Sequence, residues 1–267
     1  MKRYFACSDI HSFFTEWQDA LADKWFDISN KEHIIIICGD LFDRGHQSKE
    51  CFEFVKKLSE ENRLIYVRGN HEDLMFDAVK QIDRGMHVGR HHLSNGTINT
   101  ICDITDINIY DLLSGIFDWK EFDNIVKNNL LSFIDNTCVD YYELGDTVFV
   151  HGWVPTTCDE NKVTIVDENW RDGGWNEARW ENGMEMFNFG LAPKDKLIVC
   201  GHWHASYGHS KITKTCTEFG PDAKFTTFTC HNDETNSDII ALDACTVHTH
   251  FVNCVVFDEN GKVIDDV

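Results

Sequence analysis

The chain has 267 residues, enough for one large α/β domain or two small ones, and 42% are hydrophobic, ample for a core. Against 24 Lys and Arg stand 45 Asp and Glu, a net charge of −21. A chain this acidic is repelled by nucleic-acid phosphates, which excludes a broad nucleic-acid-binding surface. The cysteine count, 11, is odd and contains no Cys-x-x-Cys pair, so neither a disulfide framework nor a zinc ribbon is supported. Cys7, Cys38, Cys200 and Cys254 sit in or beside apolar runs, where reduced Cys acts as a small hydrophobe. A cytoplasmic, reducing location is expected. Asp9 comes too soon for a secretory signal, and no apolar stretch is long enough to span a membrane.

In chain order, residues 4–7 form a short apolar run ending at Asp9 and His11, which predicts a strand. From Phe14, apolar residues recur at Trp17, Leu21 and Trp25, a helical stripe. Residues 34–38 are β-branched and continuous, as in a strand buried on both faces, and lead to Gly39-Asp40. Ser48 is placed to cap a helix with Cys51, Val55 and Leu58 on its apolar face. Residues 64–67 form the next strand and end near Asn70. Strand–helix alternation argues for right-handed βαβ units. Residues from about 73 to 136 read as mostly helical, with Met75, Ala78, Val79 and Ile82 on one face and a polar, His-rich loop between 84 and 99. The region is expected to cap the sheet edge. Residues 147–150 predict a strand ending at His151, and 196–200 a strand ending at His202. Between them, 161–187 is rich in Trp, Arg and Glu, loop first and helical from Asn176. The tail carries short β runs at 238–242 and 253–257, with a turn at 259–261. With only 3 prolines, no Gly/Ser linker and no repeat, a single domain over 1–267 is the simplest account.

Five blocks carry the chemistry: Asp9-Ile10-His11, Gly39-Asp40-Leu41-Phe42-Asp43-Arg44-Gly45, Gly69-Asn70-His71-Glu72, His151-Gly152 and Gly201-His202-Trp203-His204. All but the third directly follow an apolar run, so ligand-type side chains converge on one sheet edge. Carboxylate, amide oxygen and imidazole together suit the divalent metals that act on phosphate, and manganese, iron and zinc all fit such a set. Asp9 and His11 can reach one ion from a single turn. Asp40, on the adjacent strand end, can bridge two, and Asn70, His151 and His202 complete the second. Two ions about 3.5–4 Å apart clamp a phosphate and lower the pKa of a bridging water, which then attacks in line. Taken singly, Asp-x-His, Gly-Asp and a strand-end His are weak signals. The second and third blocks are specific, and the ordered set of five carries the reading.

These blocks resemble the calcineurin-like metallophosphoesterases. Within them, Gly39-Asp40-x-x-Asp43-Arg44-Gly45 and Arg68-Gly69-Asn70-His71-Glu72 are similar to the phosphoprotein phosphatases, including the bacterial and bacteriophage lambda-type serine/threonine phosphatases. The tail run 239–245 also resembles that family's closing segment; 73–136 matches nothing in it. The resemblance implies an α/β fold, a four-layer αββα sandwich with metals at the strand ends and here a helical cap insertion. It implies one metal on Asp9, His11 and bridging Asp40, and a second on Asp40, Asn70, His151 and His202. His71 would protonate the leaving alkoxide, held by Asp43, since a carboxylate partner keeps an imidazole protonated and oriented. Arg44 would bind phosphoryl oxygens, which its planar fork suits. The implied activity is that of a phosphomonoesterase acting on a phosphorylated protein or a small phosphoester. A symmetrical diadenosine tetraphosphatase-like nucleotide hydrolase is the alternative. Its late His block is similar to Gly201-His202-Trp203, but its second motif often lacks a carboxylate at the place of Asp43. A non-catalytic scaffold is opposed by the intact ligand set.

Ser12 stands where the family usually has Gly. His204 is either a ligand of the first metal or an outer residue. A second phosphate-binding arginine is expected between the two late histidines; Arg171 and Arg179 are candidates, with Arg179 favoured. Residues 247–251 replace a glycine-bearing turn, and read as a strand they put His248 and His250 on one face, a solvent-facing pair with an accessory metal site as the sharper option. His87, His91 and His92 read as a polar loop with metal or substrate contact as the sharper option, and the tryptophans between 170 and 180 as packing.

Overall fold

The computed structural model describes residues 1–264. Strand β1 (Arg3–Cys7) leads to helix α1 (Phe14–Asp23), which buries Trp17 and Leu21. The third turn of the expected stripe is missing: the helix stops at Lys24, and Trp25 turns outward at φ 59°, 74% exposed. β2 (His33–Cys38) is buried at every residue, as its isoleucine run requires. α2 (Ser48–Glu60) buries Cys51, Val55 and Leu58. Ser48 is its first residue rather than its cap, and its N–H donates to Asp103 Oδ2 at 2.7 Å.

β3 (Leu64–Val67) and α3 (Asn70–Asp83) follow, and then a helical excursion before β4 (Cys138–Val139). It comprises α4 (Arg90–Asn95), α5 (Thr97–Thr105), α6 (Ile109–Ser114), α7 (Trp119–Phe122), a π-helical stretch (Asp123–Leu131) and α8 (Ser132–Thr137). The segment 84–99 is therefore not all loop. α4 hid from pattern reading because only His92 of its residues is buried, so it has no apolar stripe. Gly96, at φ 90°, ends α4 and starts α5 at once, a left-handed turn that glycine takes without Cβ strain.

The second half supplies β5 (Tyr142–Leu144), β6 (Thr147–Phe149), a hairpin of β7 (Thr156–Cys158) and β8 (Thr164–Val166), α9 (Trp175–Ala178), α10 (Gly183–Asn188) and β9 (Leu197–Cys200). The hairpin replaces the loop expected early in 161–187; its residues are mostly exposed, so no buried alternation announced it. After a π-helical stretch (Gly208–Ile212) come β10 (Phe228–Asn232), β11 (Ser237–Ala241), α11 (Thr246–Thr249) and β12 (Val255–Phe257). α11 corrects the strand read at 247–251: Cys245 and His250, at φ 53° and 55°, bracket a single helical turn, so His248 and His250 share no strand face.

Two five-stranded sheets result, ordered β12-β1-β2-β3-β4 and β10-β11-β9-β6-β5. The runs β1-β2-β3-β4 and β11-β9-β6 are parallel, and β12, β10 and β5 join antiparallel at the edges. Period-two alternation divides the strands between two cores. Ile35 and Ile37 face α2 and the helical excursion, with Ile98, Ile101, Val126 and Leu130. Ile34, Ile36 and Val67, with Phe257 of β12, face the other sheet, against Phe149, Val199 and Leu242. Beyond the second sheet, Trp153, Trp175, Met184 and Phe187 close the outer layer. The order of layers is helix, sheet, sheet, helix. Most of the excursion belongs to the first helical layer, and its α4–α5 corner reaches the strand ends. Among the described residues, no helix is long and apolar enough to cross a membrane.

Ile36→Ala empties a fully buried position between the sheets. We expect a loss of about 2–5 kcal/mol by denaturant unfolding, with the slope unchanged; a loss under about 1 kcal/mol would mean the layer relaxes around the cavity.

Candidate metal centre

The parallel strands of both sheets end at one place. The loop after β1 brings Asp9 and His11, the loop after β2 brings Asp40, Asp43 and Arg44, α3 opens with Asn70 and His71, and β6 and β9 run into His151 and His202. The backbone there is strained: Asp9, His11, Ser12, Asp40, Asp43, Arg44 and His202 all take left-handed φ, between 51° and 77°. Such conformations cost energy at each non-glycine residue and persist only where the surroundings over-determine them. Cross-loop backbone bonds do that here: His11 N–H to Asp40 O at 3.0 Å, Ser12 N–H to Leu41 O at 2.8 Å, Gly45 N–H to His11 O at 2.8 Å and Gly201 N–H to His151 O at 2.8 Å. Ser12 thus takes the conformation a glycine would adopt freely, and its hydroxyl pairs with Ser48 at 2.9 Å.

Glu72 ties the second block to the third. Its buried carboxylate accepts from the N–H of Asp40 (3.0 Å), Leu41 (3.1 Å) and Gly69 (2.7 Å) and from the Tyr66 hydroxyl (2.6 Å). Gly69 has no room for a side chain: a Cβ would collide with Asp40 and Glu72. The sequence carried this clue, since Glu72 is the N3 residue of a helix opening at Gly69.

Asp40 stands between two groups of ligand-type atoms. Its Oδ2 lies 3.9 Å from His11 Nε2 and 3.8 Å from His71 Nε2. Its Oδ1 lies 3.3 Å from His151 Nε2 and accepts the His71 N–H at 3.0 Å. His11, Asp40 and His71 bring ligand atoms within 4.8 Å of one another, and so do Asp40, His151 and His202. Asp9 Oδ1 is 3.8 Å from His11 Nε2, while its Oδ2 accepts the His202 N–H at 2.9 Å.

The ring tautomers test whether cations fit. His11 Nδ1 donates to Phe42 O (2.9 Å) and His151 Nδ1 to Cys38 O (2.8 Å). Each Nε2 is then a lone pair facing other lone pairs: Asp9 and Asp40 for His11, Asn70 Oδ1 (2.8 Å) and Asp40 for His151. His202 Nε2 donates to Trp180 O at 3.1 Å and frees its Nδ1. Acceptors converging on acceptors call for a cation or a proton between them. Backbone carbonyls fixing the far nitrogen are the usual outer support of metal-bound imidazole. The donor set fits divalent metals.

Protonation follows the same crowding. Burial pushes His151 down, but Asp40 and Asp9 outweigh it and raise it to about 10. Burial lifts Asp9 to about 6, helped by Asp40 and opposed by His151. Burial and the His151 charge lower His202 to about 4. Burial, Arg44 and His71 hold His11 well below its ordinary value. His71 is raised: burial works against it, and Asp40 and Asp43 prevail. Its Nδ1 is 2.7 Å from Asp43 Oδ2, and Arg44 Nη2 lies 3.4 Å from its Nε2.

Thr97, Thr100 and Asp243 join the site without having been read as site residues, whereas His204, Arg179 and Arg171 lie apart from it. Thr97 and Thr100 of α5 donate to Asp43 at 2.7 and 3.0 Å; they lie three apart, on one helix face, in or next to a stretch read as loop. Asp243 is buried near Asp9, its carboxyl pushed well up by burial and by Asp9. His204 points away from the two groups, with Nδ1 on Ser206 Oγ at 2.9 Å and Nε2 3.5 Å from Glu218. Arg179 is buried, and its guanidinium spans Asp73 and Asp140, at 2.6 Å each. Arg171 pairs with Glu143 at 2.6 Å.

Residues 2–206 match the family model described as calcineurin-like phosphoesterase. A bis(5'-nucleosyl)-tetraphosphatase (asymmetrical) of Bacillus velezensis is 29% identical over 83 residues, 29% of this chain and 33% of that protein, so the match spans about a third of the relative's length. Among solved structures, the cold-active protein-tyrosine phosphatase of a psychrophilic Shewanella superposes with a TM-score of 0.53 at 15% identity, over 99% of this chain and 80% of the other. A second cold-active protein tyrosine phosphatase structure gives 0.52 at 14%, over 99% and 78%. At these identities the likeness speaks for the fold alone.

With His151 at about 10 and Asp9 at about 6, protons compete with cations for the centre. Manganese affinity should fall more than tenfold from pH 7.5 to 5.5, with net proton release seen by calorimetry in two buffers of different ionisation enthalpy. A pH-independent affinity without proton release would contradict the raised protonation of His151 and Asp9.

Proposed function

The chain belongs to the calcineurin-like phosphoesterases, and from that premise we propose that it is a phosphomonoesterase of the serine/threonine protein phosphatase type, holding two divalent cations at Asp40. The observation that carries the proposal is the His71–Asp43 pair, 2.7 Å apart and fully buried on the carboxylate side. Divalent cations held there by Asp9, His11, Asp40, Asn70, His151 and His202 would supply Lewis-acid polarisation of the phosphoryl oxygens and a water of lowered pKa. Manganese, iron and zinc are all compatible with the donors.

The protein's own groups divide the remaining work. Asp43 is immobilised by Thr97 and Thr100, so it fixes the His71 tautomer with Nδ1–H on the carboxylate and Nε2 facing the mouth. Protonated, His71 delivers its Nε2 proton to the leaving alkoxide oxygen. Arg44 is exposed and 3.4 Å from that nitrogen, so its fork would hold phosphoryl oxygens beside the departing one. Asn70 and His151 stand on the far side of Asp40. The second phosphate-binding arginine expected from resemblance would have to leave two carboxylates if it were Arg179. We assign Arg179 to tying the α3 end to the loop before β5, and phosphate recognition to Arg44. Phosphorylated proteins or small phosphoesters are the proposed substrates. Eleven free cysteines suit a reducing, cytoplasmic setting.

A nucleotide-directed hydrolase is the second reading. It is favoured by Trp180, half exposed with its ring 6.1 Å from that of His202, and by the partly exposed Trp203, since an exposed indole can stack a base. The nucleotide-cleaving name of the Bacillus velezensis relative points the same way.

Asp43→Asn is expected to lower kcat by about 10²–10⁴ while metal content stays unchanged; undiminished turnover would remove His71 as the acid. Rates measured side by side on a phosphoserine peptide and on diadenosine tetraphosphate, with manganese and with chelator, decide the substrate class. The peptide should be cleaved faster and only without chelator. Preference for the dinucleotide, lost in Trp180→Ala, would transfer the function to the second reading.

A further inference from the structure

A second collection of ligand-type side chains lies in the helical excursion, away from Asp40. Asp77 projects from α3, and His91 and His92 from the first turn of α4. Their ligand atoms fall within 4.8 Å of one another. His92 Nε2 is 3.0 Å from Asp77 Oδ2, and His91 Nε2 is 3.9 Å from the same oxygen. The two imidazole rings sit 3.9 Å apart, tilted by 47°. Gln81, one turn beyond Asp77 on α3, donates to Asp77 Oδ2 at 2.7 Å.

The hydrogen-bond chemistry of His92 does not close. The ring is fully buried, and its Nδ1 has no partner. The Gln81 amide is oriented by its Oε1, which accepts the Gly89 N–H at 2.8 Å, so its NH₂ points at His92 Nε2, 3.3 Å away. With the proton on Nε2, His92 donates to Asp77 Oδ2 beside the Gln81 NH₂, and its buried Nδ1 lone pair has no donor. With the proton on Nδ1, the Nε2 lone pair meets Gln81 but faces the Asp77 carboxylate across 3.0 Å, and a buried N–H is left without an acceptor. Neither neutral tautomer pairs both ring nitrogens, and burial opposes the charged form. A cation taken by Nε2 and Oδ2 together removes the lone-pair conflict between them, with the ring proton on Nδ1 and the Gln81 bond to Asp77 as outer support.

We propose that Asp77, His91 and His92 form a binding site for a borderline divalent transition metal, of which zinc is the type. Two imidazoles and one carboxylate are a zinc-type donor set, and ligand atoms on a tetrahedral ion with bonds near 2.0–2.1 Å stand about 3.3 Å apart. The 3.0 Å pair is already at that spacing. His91, half exposed, needs only a side-chain rotation to close the 3.9 Å gap, and the open face leaves a position for water.

The place of the site says what it would do. It joins the middle of α3 to the start of α4. α3 begins at Asn70 and His71, and α4 ends at Asn95, whose carbonyl accepts the Arg44 N–H at 3.1 Å. α5, which holds Asp43 through Thr97 and Thr100, starts at the next glycine. Zinc at Asp77 therefore clamps the corner that positions the Asp43–Arg44 turn, as a structural staple outside the reacting atoms.

The test counts metal. Zinc-loaded wild-type protein and the His91→Ala and Asp77→Asn variants are dialysed to equilibrium against buffered zinc, with Co²⁺ substitution as a spectroscopic check. Wild type should hold one equivalent more than either variant, and show a d–d component and a zinc-dependent thermal gain in excess of what both variants keep from the Asp40 centre. His91 and Asp77 are at the surface, so both variants should fold, which near-ultraviolet circular dichroism verifies. Their manganese-supported turnover, if the Asp40 centre works as proposed, should stay within about twofold of wild type. Equal zinc counts and equal thermal shifts in all three proteins would overturn the proposal. That result is independent of whether the Asp40 centre hydrolyses any phosphoester, because the comparison rests on the difference in stoichiometry alone.

Discussion

The carboxylate of Glu72 holds the architecture of the centre together. It lies beneath the loops that follow two adjacent parallel strands and accepts from Asp40, Leu41, Gly69 and Tyr66 at once. Removing it would leave buried backbone N–H groups without acceptors, each carrying its own desolvation penalty. Because Asp40 N–H is one of those donors, the Asp40 side chain is aimed by a residue in the first turn of α3. Asp40 in turn separates the ligand atoms into the group at His11 and His71 and the group at His151 and His202. The left-handed residues of the two loops, Asp9, His11 and Ser12 in one and Asp40, Asp43 and Arg44 in the other, are the strain that this cross-bracing sustains.

Electrostatics completes the argument. Buried carboxylates and imidazoles at these distances cannot all keep their ordinary protonation, and the opposed shifts of His151 and His202 express it. Divalent cations are the natural occupants of a place where lone pairs converge, and phosphoester hydrolysis is the chemistry such cations support at strand ends.

Much of this was legible in the sequence because the motif residues lie within a few positions of strand ends, and strand ends are marked by β-branched runs. The isoleucines at 34–37 announced β2, and Asp40 followed from them. Asp9, His11, His151 and His202 were placed by the same logic. What stayed hidden lacked periodicity or depended on distant partners. α4 carries no apolar stripe, the β7–β8 hairpin is exposed, and α11 is one turn set by its left-handed flanks. Thr97 and Thr100 read as ordinary polar residues until α5 folded against the Asp43 turn, 54 and 57 positions away in sequence. The orientation of His204 toward Glu218, and the two carboxylates around Arg179, are likewise tertiary facts that no local pattern encodes.

The helical excursion therefore has two physical roles. Its apolar faces complete the outer layer over the first sheet, and its α4–α5 corner supplies the hydroxyls that fix Asp43. The central claim is that Asp40 lies between two cation positions, one beside His11 and one beside His151. Anomalous diffraction at the manganese edge, from crystals equilibrated with manganese, tests it most directly. The account predicts two peaks flanking the Asp40 carboxylate, each on its own oxygen. A single peak, or peaks that leave Asp40 untouched, would contradict it.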